Sequence, residues 1–107
     1  MITAPAEIYS SLVDDEDLQE LVELFVAEIP ERTAKLLDSM QSGDFVELGR
    51  YAHQLKGAAG SYGFDGVTPF AARLEQAARN HEPEKEIESA LNELVDICGR
   101  LRAGSPA

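Results

Sequence analysis

The sequence predicts an all-α fold, namely an antiparallel up-and-down four-helix bundle. Apolar residues recur at intervals of three and four along four segments, which is the period of an amphipathic helix. Short stretches containing glycine, proline or aspartate separate these segments, and no stretch has the strict alternation that is typical of a strand. With 107 residues the chain has the size of one domain, so residues 1–107 are expected to share a single core.

The first helix is expected to begin at the acidic run of residues 14–17, because carboxylates are favourable at the positive end of a helix dipole. The run lacks the spacing of a calcium-binding loop, so a solvated helix start is favoured over a metal site. Apolar positions continue in phase beyond Pro30, which favours one long kinked helix over two helices with a tight break. Gly43 is expected to end this helix and Asp44 to cap the next one. The apolar face of the long helix comprises Leu18, Leu21, Val22, Phe25, Ile29, Thr33, Leu36, Leu37 and Met40.

Three further helices are expected, each separated from the last by a short turn. The second covers residues 45–62, and the third covers residues 69–80, where Thr68 caps a helix that starts with Pro69. The fourth covers residues 83–102 and opens with a proline at its first position.

The two ends of the chain carry few apolar anchors. Residues 1–7 are expected to form a loose arm and residues 103–107 a frayed tail. Between the arm and the first helix, three apolar residues fit either a short helix or a flap over one end of the bundle: Ile8, Tyr9 and Leu12. Met1 and the short ends favour a free-standing protein over a module cut from a longer one, and a monomer is expected.

Composition excludes several classes of protein. A formal net charge of −11 argues against nucleic-acid binding, because phosphate contacts need clustered cations. No run of about 18 apolar residues is present, so no membrane span is predicted, and the N-terminus lacks the basic and apolar regions of a signal peptide. The lone Cys98 excludes an internal disulfide and is expected to be a buried, inert thiol. A single free thiol fits a reducing compartment, so a cytoplasmic protein is expected.

His53 lies on the polar side of the predicted second helix. At about 100° per residue, its side chain points roughly 130° away from the centre of the apolar stripe. That stripe comprises Phe45, Leu48, Ala52, Leu55, Ala59 and Tyr62. Arg50 and Lys56 flank the histidine at about 60° on either side. Three glycines lie on the histidine's side of the helix: Gly49, Gly57 and Gly60.

These glycines lower the stability of the helix, so their position beside the histidine points to a function. A glycine inside a helix destabilises it by about 1 kcal/mol relative to alanine, and three cost about 3 kcal/mol. Bare backbone beside an imidazole lets another macromolecule come close, and nearby cations offset the negative charge of a phosphoryl group. Residues 49–81 carry four basic and two acidic side chains, although the whole chain is acidic. A lone helical histidine is usually a surface or packing residue, but this combination favours one that carries a phosphoryl group.

The motif His53-x-Leu55-Lys56-Gly57, followed by small residues and by Gly63, resembles that of histidine-containing phosphotransfer (HPt) domains. The flanking helical pattern is compatible with this family over most of the chain, and a four-helix bundle is the fold that the resemblance implies. It also implies a phosphorelay intermediate, in which His53 accepts a phosphoryl group from an aspartyl phosphate of one receiver domain and passes it to another. The implied partners are receiver domains of response regulators or hybrid histidine kinases, and the Mg²⁺ of the reaction is expected on the receiver only.

The remaining candidate site residues have expected roles. Lys56 is the best candidate to hold phosphate oxygens, as a cation one turn from His53. Glu75 or Gln76 on the third helix would orient the imidazole, as the resemblance implies. Glu75 has the better sequence offset, although a carboxylate near a phosphate repels it. Contacts with the partner are expected from Gly49, Arg50, Gln54, Gly57 and Gly60.

An enzyme is not expected. The sequence has no glycine-rich phosphate loop, no recognisable nucleotide site and no plausible nucleophilic triad, so no cofactor of its own and no metal site are predicted. The main alternative is a helical adaptor that binds a receiver or another signalling protein without taking a phosphoryl group. A hydrolase or metal enzyme has little in its favour.

Overall fold

The computed structural model of the protein describes residues 6–104, which form four helices and one pair of short strands. In chain order the elements are β1 (Ile8–Tyr9), α1 (Glu16–Ser42), α2 (Phe45–Ser61), α3 (Thr68–Arg79), α4 (Glu84–Cys98) and β2 (Leu101–Arg102). Short connections join consecutive helices, and each helix packs against the next. Helix α1 also packs against α4, which closes the bundle. The predicted all-α four-helix fold is confirmed.

One continuous helix of 27 residues, α1, runs through Pro30, so the single long helix is confirmed. Asp15 caps its start by accepting a hydrogen bond from the N–H of Asp17 at 3.0 Å. Gly43 ends it at φ +74°, a left-handed conformation that costs glycine little, and the N–H of Gly43 donates to the carbonyl of Met40 at 3.1 Å. The proline is therefore accommodated inside the helix, and the glycine stops it.

Part of the predicted apolar face of α1 is buried, namely Val22, Phe25, Ile29 and Leu36. The prediction is wrong for Leu21 and Leu37, which are 43% and 45% exposed. Each of these leucines is next in sequence to a buried residue, and one residue step rotates a side chain by about 100° around the helix. The buried stripe of α1 is therefore narrower than the apolar pattern suggests.

The starts of α2 and α3 are capped differently. Asp44 caps α2 as predicted, since its side chain accepts a hydrogen bond from the N–H of Glu47 at 3.1 Å. The predicted cap of α3 is wrong by one residue, because Thr68 already lies in the helix and Val67 precedes it without a side-chain capping bond. A tight turn explains this shift: Val67 already has helical dihedrals, and its N–H donates to the carbonyl of Phe64 at 3.0 Å.

The C-terminal segment leaves its helix earlier than predicted. Helix α4 begins at Glu84, directly after Pro83, and ends at Cys98; the chain then forms β2, which pairs in parallel with β1. The prediction of a short helix at residues 8–12 is therefore wrong. The expectation of a chain without strands is wrong as well. A strand of two residues is too short to produce a detectable alternation of apolar and polar positions.

The segment after β1 packs over one end of the bundle, which matches the alternative of a flap. Ser10 donates a hydrogen bond from its hydroxyl to the carbonyl of Tyr62 at 2.6 Å, and the N–H of Ser11 donates to the carbonyl of Gly63 at 2.9 Å. Gly63 has φ +81°, and a Cβ at this position would collide with the Ser10 hydroxyl. Both the positive φ and the lack of space for a Cβ therefore require a glycine at position 63, in the turn that follows α2.

The ends of the chain are only partly described. Of the arm expected at residues 1–7, residues 1–5 lie outside the described part, and Glu7 is exposed and accepts a hydrogen bond from the Tyr9 hydroxyl at 2.7 Å. Of the tail expected at residues 103–107, residues 105–107 lie outside it.

Buried apolar side chains from all four helices form the core. Cys98 belongs to this core, as predicted, and burial raises the pKa of its thiol to about 12. No helix within residues 6–104 is both long enough and apolar enough to cross a membrane.

Candidate functional site

His53 lies in the middle of α2, and 57% of its side chain is exposed. Its Nδ1 lies 2.8 Å from Oε2 of Glu75 on α3. An ionised carboxylate can only accept hydrogen bonds, so in the neutral ring Nδ1 carries the proton and donates it to Glu75. This tautomer leaves a lone pair on Nε2, in a ring that is more than half open to solvent.

The carboxylate of Glu75 is buried but surrounded by positive charge. The residue is only 6% exposed. Its Oε1 accepts a hydrogen bond from Nζ of Lys56 at 2.7 Å, and its Oε2 forms an ion pair with Nη1 of Arg79 at 2.9 Å. Burial raises the pKa of Glu75, but Lys56, His53 and Arg79 together lower it further than burial raises it, so the pKa lies below its ordinary value. Glu75 therefore remains a carboxylate and a hydrogen-bond acceptor at neutral pH.

Close packing of α2 against α3 brings Glu75 within reach of His53. Small residues lie on this contact and allow the two backbones to approach, as at Gly49 of α2, where a Cβ would lie 3.6 Å from Cβ of Ala78 on α3. Glu75 is one residue beyond the buried Leu74 on α3, and its side chain reaches His53 and Lys56 on α2. The contact joins residues 22 positions apart in the chain.

Of the predicted site residues Lys56, Glu75 and Gln76, the structure brings the first two together and leaves the third apart. Lys56 is half-buried and is bound to Glu75, whereas the sequence placed it only as a cation near His53. Glu75 contacts the imidazole directly, and the neighbouring Gln76 is exposed on the outer face of α3. Of the two side chains considered for orienting His53, Glu75 is the one at the ring.

Two of the three glycines on the histidine's side lie on an open surface. No other part of the described chain comes within 4 Å of the position that a Cβ would occupy at Gly57. At Gly60 the nearest such atom is the hydroxyl of Thr68, at 3.9 Å. Both glycines are exposed, so the backbone of α2 is uncovered at these two positions beyond His53.

Gly49 does not belong to this open surface, and the expectation of a third bare glycine is wrong. Gly49 is buried where α2 meets the end of α3. A Cβ at this position would lie 3.4 Å from Cγ of Arg79 and 3.6 Å from Cβ of Ala78. Helical geometry puts Gly49 on the same side as His53, but α3 packs over that side at this level of the bundle. The absence of a side chain at Gly49 leaves room for Arg79.

Arg50 and Gln54, the other expected partner contacts, are both exposed. The guanidinium of Arg50 binds both carboxylate oxygens of Glu47, at 2.9 and 2.6 Å, and lies 5.1 Å from the ring centre of Tyr51. Gln54 lines a groove between α1 and α2. Both side chains are available at the surface. Neither contacts the charged cluster that Glu75 forms with His53, Lys56 and Arg79.

Arg79 also belongs to this cluster, although the sequence did not predict it as a site residue. It follows Glu75 by four positions on α3, and opposite charges at this spacing face each other on a helix. That spacing is a signal in the sequence, and it becomes informative once Glu75 is known to contact His53.

Within residues 6–104 no group of three or more histidine, cysteine, aspartate or glutamate side chains is arranged to hold a metal ion. The fold and the site together define a helical bundle that presents one imidazole at its surface, aligned by a buried and charge-compensated carboxylate. The family model of the Hpt domain matches residues 20–104, and the chain belongs to this family. No curated protein and no solved structure matches the chain significantly.

Hpt domains are the histidine phosphotransfer modules of phosphorelays, so the resemblance drawn from the motif is confirmed. Members of the family carry phosphoryl groups and are not catalysts in their own right. They interact with receiver domains of response regulators and kinases.

Proposed function

We propose that His53 is the phosphoryl acceptor of this protein, and that its Nε2 takes the group from an aspartyl phosphate of one receiver domain and passes it to a second receiver. The proposal depends on one observation, the 2.8 Å contact between Nδ1 and Glu75, because this contact selects the tautomer with an unprotonated Nε2. The exposure of the ring supports it further, since a partner's reactive aspartate must reach that nitrogen.

The chemistry needs no proton to leave the attacking nitrogen. The Nε2 lone pair forms a bond to phosphorus while the bond between phosphorus and the aspartyl oxygen breaks, and the carboxylate leaves as aspartate. The ring gains positive charge during this step, and Glu75 stabilises that charge through the proton on Nδ1. Attack by the aspartate of the second receiver reverses these bond changes and restores the neutral imidazole.

A carboxylate beside a phosphohistidine would be unfavourable if it carried its charge alone. The geometry supports a compensated carboxylate instead, because Lys56 and Arg79 both contact it. Two cations against one anion leave the neighbourhood of the neutral ring with net positive charge, which favours a phosphoryl group. In this proposal Lys56 acts on the phosphoryl group through that charge while bound to Glu75.

The receiver is proposed to approach over the bare backbone at Gly57 and Gly60, with Gln54 and Arg50 at the edge of the contact. The Mg²⁺ of the transfer reaction is assigned to the receiver, whose aspartate supplies or accepts the group. This chain would act as a carrier and would not make phosphohistidine from ATP.

The test is transfer from a receiver domain that carries a radiolabelled aspartyl phosphate. The chain should take up a label that is stable to alkali and labile to acid, as expected for a phosphorus–nitrogen bond. His53→Asn should abolish this label. The chain contains one other histidine, His81, which is exposed and has φ +53°, a conformation that asparagine tolerates. His81→Asn is therefore a matched control and should be labelled like the unaltered protein.

The result also separates the proposal from the adaptor alternative. A chain that binds the receiver but takes up no label would be an adaptor, and the proposal would be wrong. Label that persists in His53→Asn would overturn the assignment of the acceptor.

A further inference from the structure

The guanidinium of Arg79 shares a single carboxylate oxygen with the imidazole. Oε2 of Glu75 lies 2.8 Å from Nδ1 of His53 and 2.9 Å from Nη1 of Arg79. Since both nitrogens contact the same oxygen, they lie less than about 6 Å apart, a distance at which unit charges still interact appreciably near a protein surface. Lys56 is bound to the other oxygen, Oε1.

The packing around Arg79 holds the side chain in this place. Gly49 presents no side chain where the aliphatic part of Arg79 crosses α2, and a Cβ at Gly49 would already be in van der Waals contact with it. A longer side chain at position 49 would displace the arginine. The end of the guanidinium group is nevertheless accessible, since 58% of the Arg79 side chain is exposed.

We propose that Arg79 is a positioning residue of the phosphotransfer site: it anchors the Glu75 oxygen that aligns His53 and balances the charge of the phosphorylated ring. This inference rests on the proposed role of His53. A phosphoryl group brings about two negative charges, and the phosphorylated ring carries one positive charge when Nδ1 keeps its proton. With Glu75, Lys56 and Arg79 included, the cluster then has a net charge near zero. Without Arg79 it is left with about one uncompensated negative charge, next to a carboxylate that is buried.

The proposal is tested on the intact protein with phosphoramidate, a small phosphorus–nitrogen donor that needs no docking surface. Arg79→Gln removes the charge and nearly preserves the size of the polar side chain. It should lower the equilibrium ratio of phosphorylated to free His53 about five- to tenfold, and Arg79→Lys should restore most of it. Arg73→Gln is the matched control, because Arg73 lies on the same helix in an exposed pair with Glu82 and outside the cluster. It should behave like the unaltered protein.

A second readout does not depend on phosphorylation. Nitrogen-15 spectra of the unphosphorylated protein report which ring nitrogen of His53 carries the proton, and carbon-13 spectra follow the titration of the Glu75 carboxyl. Arg79→Gln should reduce the fraction of the Nδ1–H tautomer and raise the pKa of Glu75. A residue that only supported the fold would leave both unchanged in a variant with an unaltered circular dichroism spectrum.

The outcomes separate this inference from the proposed function. Label on His53 in the unaltered protein, with equal labelling and equal spectra for Arg79→Gln, would overturn the role of Arg79 alone. Failure of Arg79→Lys to restore labelling would contradict charge balance as the reason. Absence of label from the unaltered protein with both phosphoramidate and a phosphorylated receiver would instead refute the proposed function, while the spectra would still decide whether Arg79 aligns the ring.

Discussion

Oε2 of Glu75 lies 2.8 Å from Nδ1 of His53, and the two residues belong to different helices. The carboxylate is buried and the imidazole is mostly exposed, so one side of the ring is held by the protein and the other faces solvent. A helix surface alone would leave the ring free to rotate and to exchange its proton between both nitrogens. The contact with Glu75 gives the ring one orientation and one tautomer.

Replacement of Glu75 by glutamine tests this relationship. An amide can donate as well as accept, so it no longer selects the Nδ1–H tautomer, and Lys56 and Arg79 lose their counter-charge. We expect Glu75→Gln to slow labelling of His53 by about 10- to 100-fold without loss of helical content. Gln76→Ala, at the exposed neighbouring position, is the control and should be labelled at the normal rate. Equal rates for both variants would contradict the role of Glu75.

The stability of the fold should depend on pH through Glu75. Burial raises its pKa, but Lys56, His53 and Arg79 lower it to below the ordinary value of 4.5. A carboxyl with a lowered pKa in the folded state stabilises the fold fully above its ordinary pKa, and this contribution is lost as the pH falls through the lowered value. We therefore expect the free energy of unfolding of the unaltered protein to exceed that of Glu75→Gln at neutral pH.

Urea denaturation between about pH 7 and pH 3 measures this difference, which should narrow in the acid range below the ordinary pKa. Glu88→Gln, on the exposed face of α4, controls for the loss of one negative charge. A difference that stays constant across the range would show that Glu75 does not titrate as its contacts require.

Gly57 should be replaceable without harm to the fold. No other part of the described chain approaches the position of its Cβ, and alanine is the better helix former. Gly57→Ala should raise the free energy of unfolding by about 0.5–1 kcal/mol. Gly57→Gln should also fold, but its longer side chain should slow transfer from a phosphorylated receiver while labelling by phosphoramidate stays normal. Slowing with both donors would point to a defect at the site rather than to obstructed docking.

Replacement of Gly49 by a larger residue should instead destabilise the fold. A leucine there would be forced against Ala78 and Arg79, since a Cβ alone already touches both. Gly49→Leu should lower the free energy of unfolding by about 1–3 kcal/mol. Gly57→Leu, on the same helix but in open space, is the matched comparison and should not lower the free energy of unfolding. Thermal or urea unfolding of the two variants measures the contrast, and equal stabilities would contradict the buried position of Gly49.

Cys98 should resist alkylation in the folded protein. Burial raises the pKa of its thiol to about 12, and the reactive species is the thiolate. We expect negligible modification by iodoacetamide at mildly alkaline pH, and rapid modification once urea unfolds the chain. Mass spectrometry of the quenched reaction gives the modified fraction. Fast alkylation of the native protein would show that the end of α4 opens readily.

Predictions from local pattern agree with the structure where a property depends on neighbouring residues. Helix α1 is continuous through Pro30, Asp44 caps α2, and Gly43 ends α1, because propensities and caps act within a few residues. The prediction fails at Leu21 and Leu37, since periodicity finds the apolar side of a helix but not the width of the stripe that its neighbours cover. It also fails at β1 and β2, whose pairing joins the two ends of the chain.

The sequence by itself determined the four helices, the polar side of α2 on which His53 lies, and the motif that marks the family. Only the tertiary structure decided that Glu75 rather than Gln76 meets the imidazole, that Arg79 belongs to the same cluster, and that Gly49 is buried. The physical reason is that helical periodicity gives the direction of each side chain around its own axis. The rotation and depth at which α2 and α3 pack are fixed by contacts between residues far apart in the chain, and those contacts decide which side chains meet.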